Sequence, residues 1–250
     1  MPITFAHTAY IFPFKKIKQL SFIGLLLGSI IPDFEHLFIL DFSSKFGHTL
    51  LGVFLFDIPV ALAFYFIWKK ICFPVLKEVL PFEINDKPKA LSIKWVLVSI
   101  IIGIGSHLIL DGVSGTNGFF VKRLPILSTD LSRFGYNHIK LFIFNWYTFS
   151  ILGTFIVFIQ IVKYISNCTL KKIYDHLYYF FFIEMLTIAE MIVFIRMYNM
   201  TLPDNYLKTG VIVCGSLMYS LIFTSFHWKY LIKKLKLKKE AKLKEQKIML

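Results

Sequence analysis

The sequence predicts an all-α, multi-pass helical membrane bundle: a short N-terminal helical hairpin followed by five transmembrane helices. Two observations carry this. Over 250 residues the chain is 56% hydrophobic with a mean hydropathy of +0.66, too apolar for an ordinary soluble domain. Apolar runs of membrane-spanning length also recur along it, separated by lysine-rich or polar segments.

Five runs qualify as spans: Leu50–Trp68, Ile93–Asp111, Leu141–Val162, Leu177–Arg196 and Thr209–Trp228. Each is near the ~20 residues that a hydrocarbon core requires. The N-terminus differs. Ile3–Phe14 and Leu20–Ile31 are only about a dozen residues each, roughly 18 Å as helix. Joined by Lys15-Lys16-Ile17-Lys18, they form a hairpin, and Pro32 is expected to end its second arm. The lysines before Ser21–Ser29 mimic a signal peptide, but the long N-terminal stretch before them and the further spans after them argue against cleavage. Residues 1–228 are read as one transmembrane domain and 229–250 as a basic tail.

The net charge of +13 does not point to nucleic acid, because the basic residues cluster between apolar runs and in the tail. Membrane lipids are the expected partner of those residues. Lys15–Lys18, Lys69–Lys94, Lys163–Lys172 and the tail belong on the cytoplasmic side; Asp41–His48 and Met197–Lys208 suit the outside. The three cysteines are far apart and carry no metal or redox motif.

Titratable residues gather at the ends of the apolar runs. His107 and Asp111 are four apart, one turn on a single helix face. Counted from the basic cytoplasmic edges at a helical rise, His7 lies about 14 Å up, Asp33 about 22 Å, His107 about 20 Å, Asp111 about 26 Å and His48 about 31 Å. Four separate segments can therefore deliver ligands to the outer half of one bilayer. Ionisable groups inside a membrane are costly and usually functional. Three histidines with Asp33, Asp111 and Glu35 suit a nitrogen/oxygen-bound divalent ion, zinc first and manganese second. Glu35 serves as ligand or general base, and His36 is a weaker candidate. Lys122 and Arg123, on the Gly112–Lys140 loop, are placed to meet a phosphate headgroup.

Several motifs resemble those of a bacterial membrane family, the domain of unknown function 4184. They are Met1-Pro2-Ile3-Thr4-Phe5-Ala6-His7, Gly28-Ser29-Ile30-Ile31-Pro32-Asp33-Phe34-Glu35, His48-Thr49-Leu50-Leu51-Gly52 with Phe54–Pro59, and Ser106-His107-Leu108-Ile109-Leu110-Asp111. Arg123-Leu124-Pro125 and Gly153 also fit, so the resemblance covers about residues 1–155. In pattern the family is similar to inner-membrane-associated proteins classed as metal-dependent hydrolases and, more remotely, to zinc phospholipases C. The resemblance implies metal ligands at His7, Asp33, His48, His107 and Asp111, with Glu35 beside them. Where relatives often continue Asp-x-x-Thr-His, this chain has Asp111-Gly112-Val113-Ser114-Gly115 and lacks that histidine.

The resulting expectation is a bacterial inner-membrane, metal-dependent hydrolase of a lipid-like or phosphoester substrate, with a cytoplasmic C-terminus. Two alternatives stand beside it. A transporter would carry polar residues on to the cytoplasmic side, and a scaffold would use the metal for fold stability alone. The sequence does not state the oligomeric form.

Overall fold

The computed structural model describes residues 3–41, 46–84, 91–134, 139–171, 177–198 and 206–248. Among these residues the chain is helical, with two isolated antiparallel bridges and no sheet. Helix α1 (Thr4–His7) leads into a 3-10 helix, Thr8–Lys16. Helix α2 (Phe22–Ile30) passes through the 3-10 turn Ile31–Asp33 into α3 (Phe34–Ile39). Helices α4 (Leu50–Gly52), α5 (Ile58–Ile67) and α6 (Phe73–Val79) are joined by the π-helical turns Val53–Asp57 and Trp68–Cys72. The remaining helices are α7 (Ile93–Ser114), α8 (Leu141–Ser166), α9 (Leu177–Tyr198) and α10 (Tyr206–Ile248).

Among the described residues, six helical stretches are long and apolar enough to cross a membrane: Phe22–Ile39, Leu50–Val79, Ile93–Ser114, Leu141–Ser166, Leu177–Tyr198 and Lys208–Leu237. Five contain the spans expected from sequence. The sixth arises because the hairpin's second arm does not stop at Pro32. That proline occupies the first turn of a 3-10 segment, where its missing N–H leaves no helical bond unmade. The helical path therefore continues to Ile39. The basic tail is backbone-continuous with α10 as far as Ile248. Parts of the segments used for orientation (42–45, 85–90, 172, 199–205 and 249–250) lie outside the described residues.

The chain forms two compact units, residues 1–35, 44–65 and 86–167 in one and 36–43, 66–85 and 168–250 in the other. In the first, α2 packs lengthwise on α7. Ser21 N–H donates to Ser99 Oγ at 2.8 Å, and His107 Nδ1 lies 2.8 Å from the Ser29 carbonyl. The paired positions advance together along both helices, so the two run parallel. Their approach depends on Gly28 and Gly103. A Cβ on Gly28 would strike the Ile100 carbonyl oxygen, and one on Gly103 the Leu25 carbonyl oxygen. Helix α1 is pinned to α8 by Ile3 N–H donating to Ser150 Oγ at 3.2 Å, and the following 3-10 segment by Tyr10 Oη donating to the Phe149 carbonyl at 3.2 Å.

In the second unit, α6, α9 and α10 share an apolar core of Val75, Val79, Phe181 and Trp228. On the outward faces, Ile151 of α8 and Phe194 of α9 are each about two-thirds exposed, as lipid-facing side chains are.

Candidate metal centre

All the elements that carry the site belong to the first unit. Parallel packing of α2 on α7 brings two helix C-termini to the same end. His107 and Asp111 lie in the last two turns of α7, and Asp33 follows α2 directly. Helix C-termini carry partial negative charge and favour a cation. His48 arrives on the short 3-10 turn Phe46–His48.

Four side chains converge: Asp33, His48, His107 and Asp111, with one donor atom from each lying within 4.8 Å of the others. His48 Nε2 is 3.1 Å from Asp111 Oδ2 and 3.6 Å from Asp33 Oδ1. His107 Nε2 is 3.3 Å from Asp111 Oδ2 and 3.6 Å from Asp33 Oδ1. The two Nε2 atoms are 3.3 Å apart. A tetrahedral ion with bonds of about 2.0–2.1 Å sets its ligand atoms about 3.3–3.4 Å apart. The observed spacings cluster around that value.

The surroundings fix which atoms face inward. The Ser29 carbonyl can only accept, so the 2.8 Å contact places a proton on His107 Nδ1. In the neutral imidazole the Nε2 lone pair then points into the cluster, which is the arrangement of a metal-binding histidine. Thr4 Oγ1 donates to Asp33 Oδ2 at 2.6 Å, which leaves Oδ1 to face both histidines. With His48 in the same tautomer as His107, acceptors face acceptors. Imidazole lone pairs and carboxylate oxygens meet in a buried space, and this is stable only with cationic charge between them. His107 is fully buried, while His48 and Asp111 keep a slight opening to the exterior.

The other expected residues fall around this quartet. His7 is fully buried and stacks on His107, with ring centroids 3.9 Å apart and planes at 18°. Its Nε2 lies 3.6 Å from Asp111 Oδ1, the oxygen turned away from the quartet. Glu35 Oε2 accepts from the Phe46 and Gly47 N–H groups at 2.9 and 3.2 Å. That bond fastens the turn presenting His48, so Glu35 meets the centre through the loop. His36 is buried on α3 and is not one of the four.

Lys122 and Arg123 are not drawn into the site. The loop after α7 folds back on Gly112, with Phe120 and Val121 N–H bonded to its carbonyl at 3.1 and 3.2 Å. Arg123 lies over the Phe119 ring, 3.7 Å from its centroid, and donates to the Phe119 carbonyl. Lys122 is exposed. Two supporting groups were missed by sequence reasoning. Thr4 stands inside a recognised motif but carried no role, and the Ser29 contribution is a backbone carbonyl that no residue type announces.

The family model described as Domain of unknown function (DUF4184) matches residues 1–226. The chain belongs to this family. The match takes in the whole quartet, His7, Glu35 and most of the second unit. No curated protein and no solved structure matches the chain.

Proposed function

We propose that this DUF4184 chain is a membrane-embedded, metal-dependent hydrolase acting on a lipid-like phosphoester or ester. The observation that carries the reading is the Asp33–His48–His107–Asp111 quartet, with nitrogen–oxygen separations of 3.1–3.6 Å. Its donor set suits zinc, with manganese second. When bound, such an ion supplies an acidified water and polarises the substrate oxygen. The chain's own residues do the rest. His107 and His48 would hold the ion through their Nε2 atoms. Thr4 orients Asp33, and Glu35 holds the loop that carries His48. His7 Nε2, beside Asp111 Oδ1, is the group placed to take a proton.

A lipid-like substrate follows from what flanks the centre. His48 leads directly into Leu50, Leu51, Phe54 and Leu55, all 61–77% exposed, so acyl chains would meet the site from the bilayer. By the distribution of basic residues, the centre would lie toward the outer leaflet with the C-terminus cytoplasmic, and the family resemblance suggests a bacterial inner membrane. Transport is less well supported. The buried face of α7 on the cytoplasmic side of the site is Val96, Ile100, Gly103 and Ile104, and its one polar member, Ser99, is bonded to Ser21 and Trp95.

A second reading has a specific observation behind it. Four protein donors, with the five histidine-centred separations among them at 3.1–3.6 Å, also describe a closed structural metal site. Metal analysis of detergent-purified protein by mass spectrometry, with His107→Ala and Asp33→Ala alongside, tests the centre. At least one divalent ion per chain is expected in wild type and none in either variant. Hydrolysis of phospholipids and of a phosphodiester probe by the loaded protein then separates enzyme from scaffold. No bound ion after incubation with zinc or manganese would overturn both.

A further inference from the structure

Helix α7 ends at Ser114 after 22 residues, about 33 Å of helix, enough to cross a hydrocarbon core of about 30 Å. The chain that follows therefore starts at a membrane surface, and it is tied down there. Besides the two bonds to the Gly112 carbonyl, Gly118 N–H donates to the Gly115 carbonyl at 2.8 Å. A Cβ on Gly118 would strike the Gly112 carbonyl oxygen, so glycine is what lets the loop fold back this closely. Lys122 and Leu124 N–H then donate to the Gly118 and Phe120 carbonyls at 3.1 and 2.8 Å, and the 3-10 turn Pro125–Ser128 follows.

This fastened turn packs Val121 inward and presents a mixed face outward. Phe119, Leu124 and Ile126 are 47–66% exposed, and Lys122 and Arg123 are exposed between them. Arg123 lies across the Phe119 ring, so a cation and an aromatic share one face. It spends one N–H on the Phe119 carbonyl, at 3.3 Å, out of the five that a guanidinium carries. Among the described residues Lys122 has no hydrogen-bond or ion-pair partner. No acid stands between Gly112 and Thr129, and the next one, Asp130, accepts from Ser132 N–H at 2.8 Å. The distribution of basic residues would put this end of α7 outside, where lysine and arginine are disfavoured. Two unmatched cations there call for an anionic partner, and the exposed apolar side chains call for one with an apolar side. Anionic headgroups above their acyl chains meet both demands.

We propose that the loop 119–126 is an interfacial anchor for anionic phospholipid, in which Lys122 and Arg123 take the headgroup phosphate while Phe119, Leu124 and Ile126 enter the acyl boundary. The inference rests on the membrane reading alone and stands whether or not the quartet hydrolyses anything. Through Gly112 the anchor is fastened beside Asp111, so it gathers anionic lipid in the leaflet that the centre faces.

Fluorescence of Phe119→Trp tests this, with the full chain reconstituted in vesicles of phosphatidylcholine alone or mixed with phosphatidylglycerol. The signal is read as the difference from wild type, which has four tryptophans. The added indole is expected to emit in the blue and to be quenched by lipids brominated on their acyl chains. Brominated phosphatidylglycerol should be preferred over brominated phosphatidylcholine by about fivefold in lipid association, the share of one basic residue at an anionic surface. Adding Lys122→Gln and Arg123→Gln should abolish that preference and leave quenching by phosphatidylcholine in place. A red-emitting indole, quenched by aqueous iodide and not by brominated lipid, would show a loop standing in water and overturn the anchor. Equal quenching by the two lipids, or a preference that survives both glutamines, would overturn the headgroup assignment. Should Phe119→Trp not yield monodisperse protein, Ile126→Trp carries the same reading with the Arg123–Phe119 contact intact.

Discussion

Both units place acids among apolar helices, buried in the first and half-buried in the second, and they settle them differently. In the second unit each oxygen of Glu184 meets its own partner: His227 Nδ1 at 2.8 Å and the Trp228 indole N–H at 2.9 Å. Asp41 is likewise matched by Lys208 at 3.2 Å and Arg196 at 3.7 Å. Donors and acceptors balance, and such groups hold helices together. In the first unit, Asp33 Oδ1 and Asp111 Oδ2 face imidazole nitrogens, one of which already spends its proton elsewhere. A polar cluster short of donors calls for a ligand from outside the chain. A balanced one needs nothing more.

The sharpest way to break this comparison is to neutralise one acid in each cluster. Asp111→Asn removes a charge that both histidines face. Bound divalent metal should fall from at least one per chain to below about a tenth, because its oxygens serve the quartet and His7 together. Elemental analysis of purified protein decides this. Metal retained at the wild-type level would mean that protonated imidazoles, not an ion, balance the cluster.

Next in size is Gly103→Ala. Its Cβ would run into the Leu25 carbonyl and approach the Ser29 N–H, forcing α2 away from α7. Overpacking of this kind costs about 1–3 kcal/mol. It should also carry the Ser29 carbonyl away from His107, so thermal stability in detergent and metal affinity should fall together. Gly105→Ala, at a position where a Cβ meets nothing within 4 Å, is the matched control and should change neither.

Thr4→Val keeps the shape of the side chain and deletes the hydroxyl that orients Asp33. Loss of an outer partner of a metal-binding carboxylate weakens affinity by about 10–100-fold. A competitive titration with a chelating dye should show a shift at the lower end of that range with no loss of fold. An unchanged titration would remove Thr4 from the site.

The helices and the quartet were legible in the sequence to different degrees. Apolar run length located five spans, and the i, i+4 spacing of His107 and Asp111 announced its own geometry. Depth counting placed Asp33 and His48 at that level because helical rise is nearly constant. Pro32 misled, since its effect depends on whether it starts a turn or interrupts one. Glu35 was read as ligand or base on residue type, whereas its Oε2 answers two backbone N–H groups of a loop no local pattern describes. Arg123, expected at a headgroup, is exposed and lies over Phe119, a placement that the sequence did not announce. The Gly28–Gly103 contact that brings the two motifs together joins positions 75 residues apart (103 − 28), and pairing at that distance is invisible to periodicity.

The smallest expected effect completes the comparison from the other side. Glu184→Gln keeps an oxygen for one donor and turns an amide toward the other, so one of two membrane hydrogen bonds is lost. Within helical membrane proteins such a bond averages about 0.6 kcal/mol. The variant should therefore unfold slightly more easily and bind as much metal as wild type. If its metal content dropped with that of Asp111→Asn, the second unit's acids would not be a self-contained set. The distinction between a donor-balanced cluster and one that awaits a cation would then fail, because a neutral substitution among satisfied partners has no charge of its own to contribute to the quartet.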